Sequence, residues 1–250
     1  MRIMPVTQNI YQPKFKSNAN WVHDKYGNEL YKTTTYFFRD DLDWENMIKF
    51  LCNRYKDVPK VNFINHACSN GMEPLSFLMA FIIYAPEMVE KFIPIIAKDI
   101  YQENISAAKK GFCGASVDDF LRTHNMTQGR LKEFLTLIPT SGNTKDLFYL
   151  SPNSVLKDKI IFEQGDILKD VRYTMPDNTI LSCRNMWMYL KPHQKEQLAF
   201  YLGKNLGKNS TVILGFLDNY EGNAGNLLEK NGFKRCPVGT EYINIMYSKD

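Results

Sequence analysis

The sequence predicts an α/β protein: a mostly parallel sheet with helices on both faces. Three observations carry this. Short apolar runs alternate with amphipathic helical stretches along most of the chain. The runs are mostly apolar, as strands buried on both faces are. The stretch VNFINHACSNGMEPLSFLM, residues 61–79, joins one such run to a helix through a turn of small residues. Gly71 in that turn can adopt conformations other residues avoid, and the helix start offers unpaired N–H groups to negative charge.

Residues 1–30 mix Asn, Gln, Lys, Pro and Gly with Tyr11, Phe15, Trp21 and Tyr26 and read as an extended arm. TTTYFFRDDLDW follows, and Asp41 or Asp43 caps a helix with Trp44, Met47, Ile48 and Leu51 on its apolar side. Phe37 and Phe38 read as core. Arg39 is either a surface residue or a bidentate carboxylate partner. Val61, Phe63 and Ile64 form a strand, and Pro74 suits the first position of the next helix. Residues 92–100 are a second strand, then YQENISAAKKG is a helix closed by Gly111. Residues 112–158 break the alternation and read as a rim insertion of one or two helices, a turn and a short strand. Residues 160–163, 178–185 and STVILGFL supply further strands. KPHQKEQLAFYLGKNLGKN is a helix with Leu198, Tyr201 and Leu202 inward. NAGNLLEKNGF is a helix ended by Gly232, and EYINIMYSK is the last strand.

A chain of 250 residues with 44% apolar content fits one large domain with a small appendage. The net charge of +4 is slight and the basic residues are scattered, which does not indicate nucleic-acid binding. The five cysteines are widely spaced and match neither a zinc site nor a disulfide framework, so reduced thiols in the cytoplasm are expected. No metal site is expected. The start lacks a signal-peptide h-region, and no run reaches bilayer-spanning length.

In parallel sheets ligands bind at the carboxyl ends of strands. Asn65 to Glu73, Asp99, Asp166 and Arg184–Asn185 fall there. One turn glycine, where a dinucleotide fingerprint has three, argues against a nicotinamide or flavin site. Asp99 stands 28 positions past Gly71. There a carboxylate suits ribose hydroxyls, or is simply a solvated strand end. Arg184 reads as the charge-assisted partner of a carboxylate, one choice being an ion pair with Asp99 or Asp166. His66 and His193 read as structural.

TTTYFFRD…W, ACSNGMEPLSF, KDIYQENISAAKKGF, FEQGDIL and CRNMWMYL, taken together, resemble the CheR-type chemotaxis-receptor methyltransferase family. Its members read NVTxFFRD, AGCSTGEEPYS, TDIDxxxLxxARxGxY, FxxxNLL and CRNVMIYF. The resemblance covers residues 33–216 and implies a class I methyltransferase, Rossmann-like, mostly parallel seven-stranded sheet over residues 31–250, with residues 112–158 as a subdomain. It implies S-adenosylmethionine as cofactor and glutamate side chains of chemoreceptor-like proteins as acceptors. Carried over residue by residue, Thr33, Thr35, Arg39, Ala67, Glu73, Asp99, Asp166, Ile167, Arg184 and Asn185 would hold the cofactor. Arg184 and Tyr189 would serve the transfer. Thr33 for Asn, Met72 for Glu, Tyr101 for Asp and Asp166 for Asn depart from the pattern. So does the span ahead of FFRD, about 30 residues, too short for the family's helical domain.

A glutamate acceptor has a free pKa of about 4.3, so it needs no general base. Alignment at about 3–3.5 Å and partial desolvation suffice. Two alternatives remain: a small-molecule or other acceptor, and a non-catalytic module that binds the cofactor or a partner. Oligomeric state is not legible.

Overall fold

The computed structural model describes residues 35–111, 113–138, 147–238 and 245–250, together with two short strands ahead of them. The chain divides into two units, Met1–Thr33 and Thr34–Asp250. In the first, β1 (Val22–His23) pairs antiparallel with β2 (Glu29–Leu30). The rest of the expected arm, and Thr33, lie outside the described residues.

The second unit runs α1 (Trp44–Arg54), β3 (Asn62–His66), α2 (Met72–Tyr84), a 3-10 turn (Pro86–Met88), α3 (Val89–Phe92), β4 (Ile95–Asp99) and α4 (Gln102–Lys110). Next come β5 (Cys113–Ser116), α5 (Val117–Met126), α6 (Leu131–Phe134), β6 (Leu135–Ile138), β7 (Leu147–Pro152), β8 (Ile160–Gln164), α7 (Ile167–Asp170) and β9 (Thr179–Ser182). A 3-10 turn (Trp187–Tyr189), α8 (Pro192–Asn205), β10 (Ser210–Ile213), α9 (Phe216–Tyr220), α10 (Ala224–Lys230), β11 (Lys234–Arg235) and β12 (Met246–Lys249) complete it.

The main sheet has the order β11-β12-β10-β9-β3-β4-β8. Strands β8, β4, β3, β9 and β10 are parallel, while β12 runs antiparallel to β10 and β11. The chain steps outward from β3 through β4 to β8, then returns to β9 beside β3 and proceeds the other way. Crossovers are right-handed, so this reversal puts the later helices on the opposite face. It also opens a crevice at the carboxyl ends of β3 and β9. Helices α1 and α2 pack together, and α8 packs with α7 and α10. This is the expected seven-stranded Rossmann-like architecture.

An aromatic ladder ties the FFRD segment to the sheet. Phe38 meets Trp44 edge-on at 5.2 Å, Trp44 meets Phe77 at 5.0 Å, and Phe77 meets Phe63 of β3 at 4.9 Å. Each such pair contributes about 0.5–1.5 kcal/mol beyond area burial. Phe37 and Phe38 are buried as expected. Ser76, fully buried in α2, accepts from Phe38 N–H at 3.0 Å and donates to Met72 O at 2.8 Å. A loop of polar backbone is thereby pinned over the apolar layer.

Several boundaries differ from the sequence reading. Helix α2 begins at Met72, so Pro74 is its third residue; its missing N–H is still one of the four a helix start leaves unpaired. The second strand begins at Ile95, because Phe92 closes α3 and Pro94 follows. Arg184–Asn185 follow β9 in a turn and are not strand. Phe216 and Leu217 belong to helix α9, not to the fifth strand. Strand β11 has only two residues, too short for a periodic signal. Asp43, not Asp41, caps α1, accepting from Asn46 N–H. The insertion is not mainly helical: β5, β7 and β6 form an antiparallel sheet in that order, with α5 and α6 beside it. Among the described residues no single helix is long and apolar enough to cross a membrane.

Candidate functional site

The crevice is built from four strand-end loops. After β3, Ala67 (φ 57°), Ser69 (φ 51°) and Gly71 (φ 92°) all take left-handed conformations within five residues. Gly71 has a second reason to be glycine, since a Cβ there would stand 3.0 Å from the Phe162 ring. Ala and Ser in this region carry strain of about 1–3 kcal/mol each. Phe38 (φ 45°) and Asn185 (φ 56°) add two more around the same crevice. Elsewhere among the described residues, positive φ outside glycine falls on Asn178, Asn209, Asn223, Asp158 and Gln128, polar residues in connecting turns. Among the described non-glycine residues other than Asn, Asp and Gln, positive φ falls on Phe38, Ala67 and Ser69, around the crevice, where ligand clamps hold such strain.

A buried ion triad lies at the centre. The Arg184 guanidinium is fully buried. It donates from Nη1 to Glu73 Oε2 at 2.9 Å and from Nη2 to Asp41 Oδ1, and it stands 5.9 Å over the Trp44 ring. Glu73, also buried, accepts at Oε1 from Asn65 Nδ2 (2.8 Å) and Ser182 Oγ (2.9 Å). Asp41 Oδ2 accepts from Phe216 N–H at 3.1 Å. Burial raises the Asp41 carboxyl, but the Arg184 charge and the Phe216 N–H outweigh it, and the net shift is down. Burial likewise disfavours charge on Arg184, yet Asp41 and Glu73 hold its pKa above the ordinary value. Two carboxylates on one guanidinium leave the triad net negative.

Asp99 is buried at the end of β4. Its Oδ2 accepts from Ser69 N–H (2.8 Å), and its Oδ1 from Tyr101 N–H and Asn104 Nδ2 (3.0 Å each). A carboxylate has about four acceptor positions, so one remains, on Oδ2, enough for one ribose hydroxyl. Tyr101 stands where the family pattern has Asp, and here its backbone does the work. Asp166 Oδ1 accepts from Leu168 N–H at 3.0 Å, capping α7, whose first residue is Ile167.

Five buried side-chain atoms among the described residues lack a protein partner: Arg54 Nε, Asn65 Oδ1, Asn70 Oδ1, Arg184 Nε and Asn185 Nδ2; a sixth, His66 Nε2, has only the Asp170 carboxylate, 3.3 Å away. Four of these lie at the carboxyl ends of β3 and β9: Asn65 near the end of β3, and Asn70, Arg184 and Asn185 in the loops that follow. Two are acceptors and two are donors. Orphaned buried polar groups cost about 1–3 kcal/mol each, so this cluster calls for a polar ligand. A zwitterionic tail with a nearby positive charge fits both the mixed donors and acceptors and the net negative triad. S-adenosylmethionine has that chemistry.

Thr35 and Arg39 sit half-buried on the FFRD segment. Arg39 and Arg122 of α5 both lie over the Tyr36 ring, at 4.6 and 4.7 Å from its centre. Arg122 also donates to Asp119 at 2.7 Å. Tyr189 closes the 3-10 turn after β9. Burial raises its phenol, opposed by the Arg39 charge, and the net shift is up. His66 is buried with Nε2 3.3 Å from Asp170, while His124 and His193 are exposed. Cys68 is buried, and burial with the charges of Asp99 and Glu73 pushes its thiol far up, which removes it as a nucleophile.

Of the residues expected from sequence, the structure brings Arg184 and Glu73 into direct contact. Asn185, Ala67, Asp99 and Asp166 stand at or just past neighbouring strand ends. Arg184 pairs with Asp41 and Glu73, not with Asp99 or Asp166. The sequence reading placed Asn65 at a ligand-binding strand end without giving it a role, and it missed Asp41 as a site residue, together with Ser182 and the wholly buried Asp218. Burial pushes the Asp218 carboxyl up, to about 7, against three N–H donors and Arg184 that pull it down. Asn65 had a signal, being a polar residue inside an apolar strand run; the other three had none.

A family model, CheR methyltransferase, SAM binding domain, matches residues 33–232. Among solved structures the chain is similar to PKMT2 from Rickettsia typhi in complex with AdoHcy, at 11% identity and TM-score 0.35, covering 62% of this chain and 21% of that one. It is similar to a TehB-like SAM-dependent methyltransferase from Corynebacterium glutamicum, at 12% identity and TM-score 0.43, covering 85% and 90%. It is also similar to the magnesium protoporphyrin IX methyltransferase ChlM from Synechocystis with bound SAM, at 11% and 0.43, covering 84% and 79%. The strand order, not these likenesses, establishes the fold.

Proposed function

The chain belongs to the CheR methyltransferase family, with its SAM-binding domain at residues 33–232, and from this premise we propose that it methylates ionised carboxylates of protein glutamate side chains, using S-adenosylmethionine. When bound, that cofactor supplies an electrophilic methyl on a sulfonium. The observation that carries the proposal is the net-negative triad Asp41–Arg184–Glu73, buried beside four orphaned polar atoms at the switch point.

Each residue has a role in this reading. Glu73 and Asp41 favour positive charge in the crevice. Arg184 orients both, and its orphaned Nε, with Asn185 Nδ2, donates to the carboxylate of the cofactor's amino-acid tail. Asp99 receives a ribose hydroxyl on Oδ2. Ala67 lets the backbone come close, and Thr35, Arg39, Asp166 and Ile167 border the rest, with Thr33 carried over from the family pattern. The Tyr189 phenol, its pKa raised, stays protonated at neutral pH. It can donate to an acceptor oxygen but cannot take a proton from an amine. An acceptor carboxylate is already ionised and asks for no base. This supports glutamate over amine acceptors.

The test has two stages. S-adenosylhomocysteine at about 100 times its Kd should stabilise the protein by about 2.7 kcal/mol. Methyl-labelled cofactor with a glutamate-bearing chemoreceptor cytoplasmic fragment should then give label released as methanol by mild base. Base-stable label would refute a carboxylate acceptor. An absent thermal shift would favour a non-binding frame.

A further inference from the structure

We propose that Asp218 is a positioning residue for the loop after β9: by accepting the backbone N–H groups of that loop it holds Asn185 and the Tyr189 turn toward the crevice. Asp218 lies in α9 and is fully buried. Its Oδ2 accepts from Asn185 N–H at 2.5 Å and Gly215 N–H at 2.7 Å, and its Oδ1 accepts from Trp187 N–H at 2.8 Å. Three N–H donors from two strand-end loops thus converge on one carboxyl group.

The local geometry explains the need. Asn185 takes a left-handed conformation past the end of β9, where its N–H has no strand partner and meets Asp218. A buried unpaired N–H is costly, and a carboxylate can satisfy several at once. The two loops touch at the backbone: a Cβ on Gly215 would collide with Asn185 Oδ1 and stand 2.7 Å from its Cγ. Trp187, fully buried, opens the 3-10 turn that ends at Tyr189, and its indole N–H donates to Cys183 Sγ at 3.3 Å. Asn185 Nδ2 is left buried without a protein partner.

A closed circuit results. Arg184 pairs with Asp41, Asp41 accepts from Phe216 N–H, and Phe216 opens the short helix that carries Asp218. Asp218 in turn holds Asn185, the neighbour of Arg184. Asp218 therefore couples the ion triad to the loop bearing Asn185 and Tyr189. This rests on the cofactor reading of the crevice.

The experiment measures S-adenosylhomocysteine affinity by calorimetry and melting temperature for wild type, Asp218→Asn and Gly215→Ala. Asparagine keeps the shape but turns a donor toward an N–H. A merely structural residue would lower the melting temperature and leave the affinity of the folded protein unchanged. We expect folded Asp218→Asn to bind at least tenfold more weakly, and Gly215→Ala, which crowds Asn185 from the facing loop, to weaken binding too. Binding by folded Asp218→Asn within twofold of wild type would overturn the role. If that variant does not fold, Asp218→Glu, which keeps the carboxylate but moves it by one methylene, decides by the same thresholds. Loss of binding in wild type would instead sink the cofactor reading.

Discussion

Glutamine at Glu73 is the sharpest probe of the ion triad. Its Oε1 can still accept from Asn65 Nδ2 and Ser182 Oγ, but its amide now points a donor at Arg184 Nη1, which sits 2.9 Å from the native Oε2. A hydrogen bond to a charged group contributes about 1.5–3 kcal/mol. Stripping a buried charge of its partner costs about 3–5 kcal/mol. Asp41 still holds the other guanidinium nitrogen, so the cost is that of the lost charged hydrogen bond and not of a stranded charge, about 2–3 kcal/mol. A chain of this size loses about 2–4 °C per kcal/mol, so Glu73→Gln should melt about 4–12 °C lower. Differential scanning fluorimetry with and without saturating S-adenosylhomocysteine measures both effects. Wild type should gain about 2.7 kcal/mol from ligand at 100 times its Kd, and the variant should gain much less. Melting within about 2 °C of wild type, together with an equal ligand gain, would refute the triad as the organiser of the site.

Gly71→Ala forces a left-handed alanine against the Phe162 ring at 3.0 Å, so chemical denaturation should show a loss of about 2–4 kcal/mol. Ser76→Ala orphans the Phe38 N–H and should cost about 1–3 kcal/mol and loosen the FFRD segment, seen as faster amide exchange there. The Asp170 carboxyl is held down to about 2 by His66 and by Lys98 at 3.0 Å, against burial that raises it. Its folded pKa is depressed, so its contribution is present above about pH 4 and lost as pH falls toward 2. Melting curves from pH 5 to 2 should show a shallower acid loss in Asp170→Asn. Cys68, Cys113 and Cys183 are buried with raised thiols, so native protein should react slowly with a thiol reagent at pH 8, and fast labelling of Cys68 would contradict the closed loop after β3.

What the sequence alone determined was local. The strand–turn–helix unit, the α4 stop at Gly111, the apolar face of α1 and the parallel core all follow from signals within a dozen residues, because periodicity and turn chemistry act over that range. The family pattern added order and spacing, which carried Glu73, Asp99, Arg184 and Asn185 to the strand ends. Only the tertiary structure decided which charges meet. Arg184 and Asp41 are 143 positions apart, Ser182 and Glu73 109, and Asp218 reaches back 33 to Asn185. Those pairings depend on the register of β9 against β3 and on where the FFRD loop is pinned. A buried carboxylate in a helix of one turn leaves no periodic trace in the chain. Of the small sheet in the insertion only one short strand was legible, for the same reason: its strands of four to six residues are stabilised by partners far along the chain, not by their own pattern.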